Sequence, residues 1–525
     1  MAVVRTILKR VIAVWSAASP RTVFVRSVLA AVLLLGVIGV LAGTAIDLAW
    51  YRDVGYPDSA SLLRMREYVQ TDTIYADPNR PPWFVSLYGP LFYILLSLPW
   101  RFTNNVDTVR LFVRVALIGF WLVSLALVFL IVHRLTRSAK RGVAAIALAC
   151  APVIVAHWTT QIRSDLLGIA FSLLSVYCVL TAKTSRRLFL GCIWAVLALL
   201  CKQTFLAAPC AIFLYLMWLQ RSRQALVWAA GAGAGIILGY GSVIWREPYA
   251  WSSLTLFSRP IYRFKSGMLL AGEGLWNVAP LIALVGTVTT RASRRPNRHK
   301  HKEDFLLLLY CALTWAVAVV SIVQVGGSTN YFIEPVMASA VVAALRWHDI
   351  EDTLNGMPRR FFLPAMAALL LFSFPLCRAT LEIISDSVFR ANHYAAFRLD
   401  WKEFTDSIAN RPLLSSYPDV TIYSSAPQIP DVLLNSVLAD LGRWNWHPVI
   451  EAMDRSDYEL LAMYPFFLKG AGQYRDFEYW NDDVFKAVLR NYRLAGLCAG
   501  MEIWTLRNPR PGSWKYLPRE GCRAP

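Results

Sequence analysis

The sequence has no internal repeat, no low-complexity linker and no cysteine or histidine spacing of the kind that holds a metal ion. Those absences exclude repeat arrays and zinc-knit modules. Acidic residues are scarce beside basic ones: 34 Asp and Glu face 53 Lys and Arg, for a net charge of +19. No basic stretch is interleaved with aromatics, however, so the excess does not read as a nucleic-acid surface. Seven of the nine cysteines (Cys150, Cys178, Cys192, Cys201, Cys210, Cys311 and Cys377) fall in apolar runs and read as small buried hydrophobes. What is plentiful is apolar sequence. Hydrophobic residues make up 56% of the 525, and they come in blocks rather than in the scattered pattern of soluble domains.

Runs such as "VLAAVLLLGVIGVLAGTAI" (Val28 to Ile46) approach the roughly 20 apolar residues that cross a bilayer. Candidate spans lie near 28–48, 111–132, 142–159, 166–182, 188–201, 204–219, 225–243, 276–290, 305–324, 332–345 and 361–377. The basic residues before the first span, and a run longer than a signal-peptide core, make that span an uncleaved anchor. With the N-terminus inside, the inside segments carry 23 Lys and Arg and the longer outside segments about 12. The loop "RASRRPNRHKHK" (291–302), with six Lys and Arg and no acid, is the strongest anchor of that orientation. The stretch "LYGPLFYILLSLPW" (87–100) is short for a span and reads as a half-buried helix on the outer face. Residues 1–384 carry 37 Lys and Arg against 17 Asp and Glu; residues 385–525 carry 16 against 17. Three regions are therefore expected: a basic cytoplasmic N-terminus (1–27), a transmembrane domain (28–384) with a first outer loop at 51–110, and a soluble extracytoplasmic tail (385–525). If that tail meets an oxidising compartment, Cys498 and Cys522 are placed to form a disulfide.

Polar residues at the ends of these spans are the informative ones, because ionisable groups near a bilayer are costly. Five clusters fall on the outer side: Asp53 and Asp58 after the first span; Tyr88 to Tyr93; "TTQIRSD" (Thr159 to Asp165); "CKQT" (Cys201 to Thr204); and "GGSTNYFIEP" (Gly326 to Pro335). A transporter would place such groups near the midplane, within broken helices. Groups gathered at one face favour a reaction at the membrane surface. Arg163 and Lys202 suit a phosphate at headgroup level, and a carboxylate opposite them suits a general base. Together they fit transfer of a sugar from a polyprenyl phosphate, with the cations stabilising the departing lipid phosphate. Ordinary roles compete at each position. Asp165 beside Arg163 suits a helix N-terminus, Lys202 can snorkel, Glu334 can pair with an arginine, and the tyrosines can form an interfacial belt.

Taken in order, "GYPDSASLLRMREYVQTDTIY" (Gly55 to Tyr75), "PPWFVSLYGPLFYILL" (Pro81 to Leu96), "RSDLLGIAFSLLSVY", "LALLCKQTFLAAP", "GGSTNYFIEP" and, in the tail, "GRWNWHPVIEAM" (Gly442 to Met453) form a recognisable series. The chain resembles the type-C (GT-C) glycosyltransferases that use lipid-phosphate sugars, among them the dolichyl-phosphate-mannose protein mannosyltransferases and the lipid A aminoarabinose transferases. The resemblance implies an α-helical polytopic membrane protein. Its bundle would have about eleven transmembrane helices, with re-entrant or juxtamembrane helices and a small C-terminal α/β extracytoplasmic domain. It implies an inverting enzyme of the plasma membrane, with a polyprenyl-phosphate sugar as donor and a glycan, lipid or protein as acceptor. The family's acid some 17 residues before Tyr75 matches Asp58, but Pro57 stands where many members have a second acid, which leaves the base open between Asp58 and Asp53. Asp165 matches a second acid of the site, and Arg163 with Lys202 match lipid-phosphate contacts. Gln203, Tyr88, Asn330, Tyr331 and Glu334 are expected to line the sugar or acceptor pocket. No cofactor is expected; a divalent ion shared by Asp58 and Asp165 is the one metal arrangement the residues allow. A transporter or flippase of lipid-linked saccharides is the rival class.

Overall fold

The computed structural model describes residues 20–54, 58–81, 83, 85–255, 268–272, 274–276, 278, 281–282, 301–323, 327–347, 358–409, 411–424, 429, 432–440, 442–463, 480, 482–498 and 501–509. The 291–300 part of the basic loop, most of the candidate span at 276–290, Gly55 to Pro57 and Cys522 lie outside them.

Apolar composition makes the helices. α1 (Pro20–Ala49), α2 (Asp58–Thr71) and α3 (Pro90–Leu96) lead to a 3₁₀ turn at Leu98–Arg101 and to α4 (Val106–Thr136). Asn105 caps α4 by accepting the Thr108 N–H at 2.9 Å, and His133 and Arg134 lie in its last turn, where the helix dipole favours cations. Then come α5 (Ala139–Cys150), α6 (Val153–Trp158), α7 (Asp165–Leu180), α8 (Ser185–Cys201), α9 (Ala207–Trp218) and α10 (Ser222–Arg246). They are followed by α11 (Ala250–Thr255), α12 (His301–Ile322), a 3₁₀ turn at Thr329–Phe332, α13 (Ile333–Leu345) and α14 (Arg359–Ile408). Four stretches are long and apolar enough to cross a membrane by length and composition: Ala30–Ala49, Val106–Thr136, Ser222–Arg246 and Lys302–Ile322. Asp165–Leu180, Ala207–Trp218 and Thr329–Leu345 are shorter apolar helices.

Three expectations change. The single span expected at 142–159 is two helices, α5 and α6, because Pro152 interrupts it. At that break α1 passes so close that a Cβ on Gly36 would lie 2.6 Å from the Ala151 Cα. The stretch 87–100 is not one helix but α3 followed by the 3₁₀ turn. And the boundary drawn at 385 falls inside α14, a 50-residue helix that runs from the apolar region into the tail.

The tail carries β1 (Leu413–Ser415), β2 (Leu460–Met463), β3 (Tyr492–Cys498) and β4 (Met501–Leu506) in the order β1-β2-β4-β3. β1 and β2 are parallel; the other pairs are antiparallel. The amphipathic helix α15 (Asp482–Asn491) buries Val484, Ala487 and Val488, at the spacing of one helical face. Cys498 is disulfide-bonded, and Cys522, its expected partner, is outside the described residues. The tail core is not made by the tail alone. Trp83 and Val85 of the first loop sit in it with Leu414, Trp444 and Trp480.

Candidate active site

Two arginines on α4, one helical turn apart, organise the chain that leaves α1. The Arg114 guanidinium donates to the carbonyls of Asp47 (2.7 Å), Arg52 (2.8 Å) and Trp50, and to the Asp58 carboxylate at 3.2 Å. Arg110 donates to the Tyr51 carbonyl and to Ser59 Oγ at 3.0 Å, and lies 3.6 Å from Asp53. Burying two guanidinium groups is costly unless their donors are met, and here carbonyls and carboxylates meet most of them. The first turn of α2 is thereby fixed over the end of α1.

The same contacts separate the two candidate acids. Asp53 accepts both the Ser59 N–H (2.9 Å) and the Ser59 hydroxyl (2.5 Å), so it caps the start of α2. Asp58 is fully buried and reaches the other way, accepting the Ile162 N–H at 2.8 Å. Its third contact, from the Val54 N–H, is long at 3.4 Å. Ile162 belongs to the loop that carries Arg163 and Asp165, so Asp58 abuts that loop, whereas Asp53 belongs with Arg110 and Asp419.

Burial raises the Asp53 carboxyl to about 7, with the nearby Asp419 adding to the rise and Arg110 opposing it. A carboxyl whose folded value lies above its unfolded one binds more protons in the folded state between the two values. Stability from this group is therefore present at low pH and lost as pH rises toward about 7. We expect the melting temperature to fall across pH 5 to 7.5, and Asp53→Asn to flatten that slope. An unchanged slope in the variant would contradict the assignment.

The second cluster forms where α7, α8 and the turn before α13 meet. Asp165, at the first position of α7, accepts the Lys202 ammonium at 2.8 Å and the Asn330 amide at 2.9 Å. Lys202 follows the last residue of α8; its Nζ lies 4.1 Å from the Tyr331 ring centroid and 5.8 Å from that of Tyr88. The charges of Arg163, Lys202 and Asp165 all act on the Tyr88 hydroxyl. Arg163 lies over the Trp158 ring at 4.5 Å, and Trp158 donates to Thr329 at 3.0 Å, joining the 158–165 loop to the 329–331 turn. Gln203 reaches the Leu87 carbonyl only at 3.5 Å. The Asn330 Oδ1 and Ser164 Oγ atoms are buried with no hydrogen-bond partner among the described residues. A bound molecule with donors would satisfy them.

Glu334, on α13, accepts the Tyr310 hydroxyl at 2.8 Å, and the Asp165 charge acts on it. The arginine that sequence reasoning offered it is replaced by a tyrosine from α12. Asp58 and Asp165 each face their own cation, Arg114 and Lys202, and among the described residues no three His, Cys, Asp or Glu side chains gather as a metal site.

Several organising residues escape the sequence pattern. Asp47, buried in α1, pairs with Arg390 of α14 at 2.6 Å and accepts the Thr160 hydroxyl at 2.9 Å. Glu247 accepts the N–H groups of Ile74 (3.0 Å) and Tyr75 (2.6 Å), closing the far end of the first loop. Gly89 lies so close to α8 that a Cβ would stand 2.1 Å from the Leu200 carbonyl oxygen. Arginines 110 and 114 carried the clearest missed signal: two cations one turn apart at the head of an apolar run.

Residues 89–245 match the family described as dolichyl-phosphate-mannose-protein mannosyltransferase. Among solved structures, the chain is similar to ArnT from Cupriavidus metallidurans in the apo state. The identity is 11% and the TM-score 0.56, over 90% of this chain and 97% of that one. The same protein bound to undecaprenyl phosphate matches at 10% identity and TM-score 0.56, with the same coverage. The archaeal oligosaccharyltransferase AglB from Archaeoglobus fulgidus, in complex with an inhibitory peptide and a dolichol-phosphate, matches at 12% identity and TM-score 0.52, over 91% of this chain and 74% of that one. No curated protein sequence matches.

Proposed function

From a chain that has the fold of the type-C membrane glycosyltransferases, we propose an enzyme that transfers a sugar from a polyprenyl-phosphate donor to an acceptor hydroxyl at the outer face of the plasma membrane. One observation carries the reading. The Lys202–Asp165–Asn330 cluster, flanked by Tyr88 and Tyr331, begins three residues beyond the Ile162 N–H that Asp58 holds. A phosphate end and a carboxylate end thus meet the same short segment, Asp58 at Ile162 and Lys202 at Asp165.

Asp58 is the base and Asp53 the helix cap. The Asp58 carboxylate is oriented by Arg114 and the Ile162 N–H, and the acceptor hydroxyl takes the place of the long Val54 contact. Asp58 removes the hydroxyl proton as the oxygen attacks the anomeric carbon from the face opposite the phosphate. The anomeric carbon–oxygen bond to phosphate breaks, and its electron pair leaves on polyprenyl phosphate, with inversion at carbon. Lys202 and Arg163 hold that phosphate and stabilise its growing charge. Asp165 keeps the Lys202 ammonium in place; Tyr88 and Tyr331 line the lipid-phosphate side; Asn330, Gln203 and Glu334 line the sugar. The tail and the site face the extracytoplasmic side, and the matched structures containing undecaprenyl phosphate and dolichol-phosphate support the choice of lipid carrier.

Incubating the purified chain with a panel of labelled polyprenyl-phosphate sugars tests the reading. Free polyprenyl phosphate is expected from at least one donor, and release from none would overturn it.

A further inference from the structure

The first loop places one residue where neither the hydrophobic pattern nor the proposed chemistry calls for it. Trp83 is 2% exposed, and its backbone is in the left-handed region at φ 51°, which a bulky residue rarely adopts. Such a conformation persists only when the surroundings over-determine it. Here the surroundings belong to the tail. The Trp83 ring shares a core with Trp444, Trp446 and Trp480; its carbonyl accepts the Asn435 amide at 3.4 Å; and Trp444 Nε1 donates to the Pro78 carbonyl at 2.9 Å.

From Trp83 the chain runs directly to Tyr88, whose ring faces Lys202. A step of this length spans at most about 17 Å when extended, so Trp83 and Tyr88 are close along the chain, and Val85 and Leu87 between them also pack on the tail core. The far end is also tied. The Tyr75 hydroxyl donates to the Tyr88 carbonyl at 2.8 Å, and the Gly89 N–H donates to the Cys201 carbonyl, beside Lys202, at 3.0 Å. The segment is a strap with one end in the tail core and the other at the phosphate end of the site.

We propose that Trp83 is a positioning residue through which the C-terminal region holds Tyr88 against Lys202 and thereby sets the affinity for the lipid-phosphate donor. The importance of Tyr88 rests on the glycosyltransferase reading; the strap does not. Other links join the tail to the first loop, including Arg52 to Asp419 at 2.9 Å and Arg66 to the Ile422 carbonyl at 2.9 Å. They reach the start of the loop and α2, whereas the stretch that leads into Tyr88 is held by Trp83, with Val85 and Leu87 packed on the same tail core.

Trp83→Gly tests this in the full chain, because glycine accepts the left-handed backbone and removes the indole, the largest part of the anchor, leaving Val85 and Leu87 in place. Hydrogen exchange at the Gly89 amide should quicken at least tenfold, with α7 and α8 unchanged, and Trp83→Phe should restore it. The donor KM should rise about tenfold while kcat changes little, as expected when a binding group loses its place but the reacting groups do not. Should Trp83→Gly fail to fold, Trp444→Phe, which loses the Pro78 hydrogen bond but keeps a ring, should shift both readouts the same way by a smaller factor. Unchanged Gly89 exchange overturns the proposal, as does faster exchange with an unchanged donor KM. If the wild-type chain transfers no sugar, the glycosyltransferase reading fails, and the exchange experiment alone decides whether the strap exists.

Discussion

Asp58→Asn should lower sugar transfer by about 10²- to 10⁴-fold, the usual range for removing a general base, while binding of polyprenyl phosphate persists. The substitution is nearly isosteric, and Arg114 keeps the carbonyls of Asp47, Trp50 and Arg52 as acceptors when the charge at 58 is lost. The loop should therefore hold its shape. Asp53→Asn provides the contrast, because Asp53 is occupied with Ser59 at the start of α2. It should change stability and its pH dependence far more than turnover. Single-turnover transfer together with a polyprenyl phosphate binding assay separates the two. Full activity in Asp58→Asn would remove that residue from the base role, and a matching loss in Asp53→Asn would transfer the role to it.

Lys202→Met should be among the most destabilising single substitutions in the chain. The ammonium and the Asp165 carboxylate are 2.8 Å apart, and each side chain is only 7% exposed. Removing one partner of such a pair leaves an uncompensated buried charge and costs about 3–5 kcal/mol. Asn330 still donates to Asp165 but cannot neutralise it. Combining Lys202→Met with Asp165→Asn in one chain should recover most of the lost melting temperature, since an apolar and amide pair carries no unpaired charge. Polyprenyl phosphate binding should stay weakened, because the phosphate has lost one of its two cations and keeps only Arg163. Recovery of binding in the double variant would show that Lys202 serves Asp165 rather than the phosphate.

Much of this site was legible in the sequence for one reason. Asp165, Lys202, Asn330 and Tyr331 each lie just beyond the end of an apolar run, Tyr88 lies at the start of the short outer-face stretch, and a topology that puts these on one face brings them together. Their convergence on Lys202 and Asp165 follows. The separation of Asp58 from Asp53 was not legible. Both are acids in one polar loop, and what distinguishes them is which buried partner each meets across the fold: the Ile162 amide for one, the start of α2 for the other. Arg114 was hidden because its helix begins earlier than its apolar run, so the residue looked like the edge of a span.

The fold shows the same division. Residues 376–408 contain neither glycine nor proline, so nothing local ends the helix where the composition turns polar, and α14 continues. Composition marks the solvent, not the helix boundary. Likewise, the docking of Trp83 into the tail core depends on a left-handed backbone held from far away in sequence, and the pattern around it carries no sign of it.

Under the proposed function, the chain performs a reaction at the lipid-phosphate site rather than moving a lipid across the membrane. The most direct measurement is sugar transfer by the purified protein in detergent micelles, where there is no second leaflet to move to. Release of polyprenyl phosphate and a product of inverted anomeric configuration are expected, both lost in Asp58→Asn. No release in micelles, together with movement of labelled lipid-linked sugar across proteoliposomes, would contradict the proposed function.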